Sequence, residues 1–142
     1  MKSRFSIAIL LVVALSVLTT LPAFAAAPAA VQWLRQQQRA DGGLGMEKST
    51  LSETAEAIYA LVAAGEDVSA VVTEGKSPLD FLAEHVTEAT TVGAQAKVAM
   101  AAAVAGANPY ALDGSDLIAN IKNSLNSEGM YGGAEDTLMG DA

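Results

Sequence analysis

No cysteine occurs anywhere in the 142 residues. Disulfide staples and thiolate metal sites are excluded, so stability must come from packing alone. Histidine occurs once, at His85. One imidazole without a thiolate cannot complete a tetrahedral N/S zinc site. It also leaves a Ser/His/Asp arrangement with no arguable geometry. Cations are few, 8 Lys and Arg against 16 Asp and Glu, for a net charge of −8. Nothing in that balance could neutralise a run of phosphates, which argues against nucleic acid as partner. The same balance disfavours electrostatic docking on anionic lipid. What is abundant is apolar residues, 51% of the chain, with alanine prominent in two segments.

The start of the chain has the form of a leader. Lys2 and Arg4 are basic, residues 7–18 are apolar but for Ser16, and Pro22 precedes the small-x-small triplet Ala23-Phe24-Ala25. That order is the secretory pattern, with cleavage expected after Ala25. The apolar run is too short to cross roughly 30 Å of hydrocarbon. Residues 1–25 are therefore expected to be a signal peptide, and residues 26–142 one exported domain, secreted or held at the cell surface. No membrane span remains after cleavage. Loss of Lys2 and Arg4 takes the charge from −8 to −10.

The rest reads as helices separated by glycine exits. The first is expected over 29–39, with Trp33 and Leu34 on its apolar side and Gly42-Gly43 as its stop. The second is expected over 51–64, opened by the capping-box form Thr50-Leu51-Ser52-Glu53 and closed by Gly65. The third starts at Ser77-Pro78-Leu79-Asp80 and continues to about residue 88, with Ser77 as cap and Pro78 in the first turn. The fourth covers 92–105 and ends at Gly106. The fifth runs from Ser115-Asp116, with Ser115 as cap, to about residue 126. A sixth begins near Glu135. Helices one, three and five are amphipathic. Two and four are apolar nearly all round, which predicts burial on all sides. Gly65 is expected to need a positive φ, and so to tolerate valine less well than Gly43.

A motif recurs. Residues 32–45 end one helix, turn on glycine and approach the next, and a weaker copy covers 120–132. An offset of 87 aligns Leu34 with Ile121, Asp41 with Glu128, Gly42 with Gly129 and Gly45 with Gly132. Gly65 and Gly106 are 41 apart, about half of that. Spacing of this kind predicts stacked helical hairpins.

Trp33-Leu34-x3-Gln38-x3-Gly42-x-Leu44 resembles the QW motif of the terpenoid cyclase and protein prenyltransferase superfamily, with Leu44 where the motif has Trp. The second copy keeps Ile121, Gly129 and the aromatic Tyr131, with Leu125 in place of Gln. A middle copy keeps only Phe81-Leu82. Residues 53–61 and the Ala64-Gly65 end also look like the prenyltransferase and squalene oxidase type repeat. The resemblance implies an all-α fold, an α/α toroid of helical hairpin repeats, of which 5–6 helices form about half a barrel. It further implies that Gln38 pairs with backbone N–H groups at the next helix start, and that Trp33 packs over those bonds.

The family's catalytic groups are not found. The Asp-x-Asp-Asp acid of squalene-type cyclases does not occur; Glu66-Asp67 and Glu135-Asp136 are the nearest pairs. Asp113-Gly114-Ser115-Asp116 has too few oxygens for a calcium loop. The glycine turns follow helices and carry no P-loop lysine. No catalytic, cofactor-binding or metal-ligating residue is assigned. Trp33, Leu34, Gln38, Asp41, Gly42, Leu44, Glu128, Gly129 and Tyr131 are read as the structural motif. The expected function is an exported, non-catalytic domain that binds a small apolar ligand or a surface protein. The alternative is the N-terminal part of a cyclase- or prenyltransferase-like enzyme with catalytic residues beyond Ala142. A third reading is self-association that completes the ring.

Overall fold

The computed structural model describes residues 21–131, with side chains from residue 28 onward. Among these residues the chain is all-α. It comprises α1 (Leu21–Gln37), α2 (Leu51–Ala63), α3 (Pro78–Glu84), α4 (Val92–Val104) and α5 (Leu117–Asn123), with 3₁₀ turns at Val68–Ala70 and Val86–Glu88. The expected sixth helix and residues 1–20 of the expected leader lie outside the described residues.

Local chemistry accounts for most helix starts. Thr50 caps α2 by accepting the Glu53 N–H at 3.1 Å, and Thr91 caps α4 by accepting the Ala94 N–H at 3.1 Å. Ser77 and Asp80 form a reciprocal capping box at α3, with Pro78 in its first turn. Each capped N–H is one of the donors a helix start leaves unpaired. At α2 the expected box is only half formed. Glu53 accepts the Thr50 hydroxyl at 2.8 Å and the Met46 N–H, while the Thr50 N–H goes to the Leu44 carbonyl. At α5 the cap is Asp116, which accepts the Ala119 N–H at 2.8 Å, and not Ser115. The Ser115 backbone is occupied in a bridge with Leu112.

Three expected bounds shift by more than two residues, and one is that α5 stops at Asn123 rather than near residue 126. Helix α1 begins at Leu21 rather than near residue 29, because the alanine-rich approach is itself a good helix former. Helix α3 stops at Glu84, and His85 leads into the 3₁₀ turn that carries Val86 into the core.

The core runs through α2, α3 and α4. Ala55, Ile58 and Leu61 of α2, Phe81 and Leu82 of α3, Val98, Ala101 and Ala102 of α4, and Leu117 of α5 are buried together. Alanines on α4 let α2 approach closely, and the Tyr59 hydroxyl donates to the Lys97 carbonyl at 2.7 Å across that contact. Burial pushes the Tyr59 hydroxyl above its usual pKa. Neither α2 nor α4 is buried all round as expected: Ser52, Glu56, Ala60 and Ala63 of α2 are exposed. Met100, 60% exposed, Ala103 and Val104 form an open apolar face, since no described helix covers it.

The α2–α3 and α4–α5 pairs share one local construction. Both inner helices have a Thr cap and 13 residues. Each ends at a glycine of positive φ, Gly65 and Gly106. The same pair of closing bonds follows, Glu66 N–H to Leu61 and Gly65 N–H to Val62 in one, Ala107 N–H to Ala102 and Gly106 N–H to Ala103 in the other. A two-residue turn of positive φ then follows in each, Glu74-Gly75 and Asp113-Gly114, closed by reciprocal backbone bonds. That conformation is the one favoured in tight turns. A capped helix of seven residues completes each pair.

Candidate functional site

The motif residues gather where α1 hands over to α2. Gln38 follows the last residue of α1 and is buried, in line with Val31 and the half-buried Leu34 on the inward face. A buried amide must find partners for both its ends. Its Nε2 donates to the carbonyls of Gly42 at 3.1 Å, Val71 at 3.2 Å and Lys76 at 3.1 Å. Its Oε1 accepts the Thr73 hydroxyl at 2.9 Å. Gln38 therefore ties the end of α1 to residues 71–76, the approach to α3. The expected pairing with N–H groups at the start of α2 is corrected: the amide meets carbonyls of the later loop.

The turn itself is tightly built. The Arg39 N–H donates to the Gly43 carbonyl and the Gly42 N–H to the Arg39 carbonyl, both at 2.9 Å. Asp41 Oδ1 accepts the Gly43 N–H at 3.0 Å and the Ser49 hydroxyl at 2.7 Å. Gly42 has φ +84, and a Cβ there would collide with the Ser77 carbonyl oxygen. A Cβ on Gly43 would lie 2.8 Å from the Phe81 ring. Only glycine fits either place. Leu44 is buried, and Thr54 holds it in both directions: the Leu44 N–H donates to Oγ1 at 2.9 Å and the hydroxyl returns to the Leu44 carbonyl at 3.2 Å. Thr54 shares the inward face of α2 with Ala55, Ile58 and Leu61, and a polar side chain at that helical phase needs a partner. Arg39, outside the nine motif residues, also serves the turn; it donates to the carbonyls of Gly45 and Met46.

Trp33 departs from expectation. It is 59% exposed and points away from the Gln38 bonds, so it does not shield them. A three-and-four residue spacing from Val31 through Leu34 to Gln38 faces inward, and Trp33 falls off that stripe. Trp33 instead flanks an open groove of about 410 Å³ between α1 and α2, with Leu34, Leu44, Met46, Ala57 and Ala60 on its apolar walls and Glu53 and Glu56 at its rim. Met46 is 91% exposed. Glu56 pairs with Lys97 of α4 at 2.8 Å, and this bond and charge hold its carboxyl below the usual range. Arg35 bonds Glu66 across the other side of α1.

The second copy keeps the backbone and loses the hub. The Asn126 N–H donates to the Met130 carbonyl at 2.8 Å and the Gly129 N–H to the Asn126 carbonyl at 3.0 Å, the same two bonds displaced by 87 residues. Gly129 has φ +79. Leu125 stands where Gln38 stands in the first copy and bridges Tyr131 through the backbone. The Glu128 N–H donates to Asn126 Oδ1, and Tyr131 is 58% exposed. The two turns are separate places, so the nine motif residues form two clusters and not one site.

Other candidates resolve into local structure. His85 ends α3, packs its ring 4.4 Å from that of Phe81 and meets Glu88 at 2.8 Å through Nδ1. Asp113-Gly114 is the two-residue turn described above. Among the described residues no group of three or more His, Cys, Asp or Glu could hold a metal ion. No described helix is long and apolar enough to cross a membrane. Comparisons with family models, with curated proteins and with solved structures find no match to this chain.

Proposed function

We propose that this chain is an exported α/α repeat module, about half of a toroid-type ring after a signal peptide at residues 1–25, and that it binds an apolar partner in the α1/α2 groove. The secretory form of the N-terminus supports export. Shared turn geometry at spacings of 39, 41 and 87 residues supports stacked hairpins of the toroid kind. The observation that carries the binding reading is the groove itself. An indole and a thioether left in water beside a concave apolar wall are the usual makings of a recognition surface. Its charged groups, Glu53 and Glu56, are engaged in cap and ion-pair bonds and sit at the rim. That arrangement suits binding and not proton transfer.

Trp33 is the only tryptophan, which makes it a built-in reporter. The uncharged dye N-phenyl-1-naphthylamine should accept energy from Trp33 in chain that still melts cooperatively. Met46→Glu and Ala57→Glu should each abolish the transfer. Dye that does not bind, or that binds without transfer from Trp33, overturns the reading.

A further inference from the structure

The shared construction of α2 and α4 says more about what the groove fits. This inference rests on the binding reading above and names its occupant. Helix α4 turns Ala94, Lys97 and Val98 toward α2, where they face Leu51 and Ser52 around a cavity of about 360 Å³. Moving back 41 residues, these positions are Glu53, Glu56 and Ala57 of α2, and all three line the groove beside Trp33. The groove is thus the surface of α2 that corresponds to the surface α4 uses to hold α2.

The converse holds at the other end. Helix α2 reaches α4 through Glu56 and Tyr59, which bond the Lys97 ammonium and carbonyl. Moving forward 41 residues, these positions are Lys97 and Met100 of α4. Met100 is 60% exposed and has Ala103 and Val104 open beside it. Among the described residues, one end therefore presents a free copy of the α2 face, and the other end a free copy of the α4 face. The charges repeat as well: Glu56 and Lys97 already pair inside each chain, and both stay partly exposed, so each can share that bond with its opposite across the contact.

We propose that the occupant of the groove is a second copy of this chain, which lays the Met100 face of its α4 against Glu53, Glu56, Ala57 and Ala60 beside Trp33. Two different surfaces meet, so the contact is head to tail, and repetition closes a ring or extends a fibre. The α2–α4 contact within the chain is the template for the contact between chains.

The absence of cysteine gives a clean test. Full-length chains carrying Ala60→Cys and Met100→Cys separately are mixed and treated with a short bismaleimide. A covalent dimer is expected from the mixture and from neither variant alone. Light scattering should show assembly that Met100→Glu weakens at least tenfold in a chain whose melting is unchanged, because Met100 is exposed in the single chain. Dimer from Ala60→Cys alone would mean a two-fold contact and overturn the proposal. A monomer at about 100 µM with no mixed product would overturn it too, whether the partner is then a further hairpin of another protein or a small ligand. If the dye still takes energy from Trp33 in that monomer, the groove binds and only the second copy is wrong. If it does not, both readings fall.

Discussion

The turn after α1 and the turn after α5 have the same backbone and different neighbours. Both carry a glycine near φ +80 and the same two N–H to carbonyl bonds. Around Gly42 the walls are Ser77, Lys76 and, by way of Gly43, Phe81; at Gly129 no described residue stands within 4 Å of the place a Cβ would take. Gln38 gathers four bonds at the first turn, and Leu125 offers no polar group at the second. The comparison teaches that the turn conformation is a local property of glycine and two backbone bonds. Anchoring the turn to the fold is a separate property, supplied by one buried amide and close packing.

Substitutions should separate those two properties. The largest effect belongs to Gly42→Ala, which adds a collision with the Ser77 carbonyl to the left-handed strain and should cost about 3 kcal/mol. Gly129→Ala carries the strain alone and should cost about 1 kcal/mol. Urea melts of the two variants measure the gap, and equal losses would contradict the contrast. Gly43→Val should likewise cost more than Gly65→Val, the reverse of the sequence expectation. Gly65 does have positive φ, but its Cβ direction is open, whereas Gly43 faces the Phe81 ring.

Gln38→Leu comes next. It takes the amide from the Gly42 and Val71 carbonyls and the Thr73 hydroxyl, while the Lys76 carbonyl keeps the Thr73 N–H, for about 2 kcal/mol by the cost of orphaned polar groups. Hydrogen exchange should then speed up in residues 71–76 before the rest of the chain. The reciprocal Leu125→Gln should stay within about 0.5 kcal/mol, because its site is exposed. Trp33→Ala should also stay within about 1 kcal/mol, as surface changes do, while removing the emission that reports on the groove.

The smallest effect concerns acid. Hydrogen bonds from the Ser77 hydroxyl and N–H hold the Asp80 carboxyl below the usual aspartate range. A folded-state value below the unfolded one adds stability at neutral pH, and the addition is lost as pH falls through the folded value. Asp80→Asn should therefore flatten the fall in melting temperature below about pH 4, the unfolded aspartate range. Melts of both chains between pH 7 and pH 2.5 test it. Asp67, lowered by its bonds to Ser69, has the same sign, and its counterpart 41 residues on, Asn108, accepts the Tyr110 N–H in the same way but carries no titrating carboxyl.

Legibility followed the range of the forces. Helices α2 and α4 end within a residue of expectation, since a Thr cap and a glycine exit act inside one turn. Ser77, Pro78 and Asp80 were legible for the same reason. The early start of α1 shows alanine propensity carrying a helix past the boundary its flanking residues suggest. Trp33 shows a large apolar residue placed inward by type, when its helical phase turns it outward. Gln38 was recognisable as a motif residue, but three of its four partners lie 33 to 38 positions away, beyond any local rule.

By itself, the order of residues determined helix class, caps, glycine exits and the spacing of the hairpins, because each depends on φ, ψ and bonds a few positions apart. Tertiary structure alone decided that an amide would lock α1 to the loop before α3, that Trp33 would border a groove, and that α4 would keep one apolar side open. Those outcomes depend on which surfaces find a neighbour in space, and burial is a property of the assembled packing and not of any residue in it.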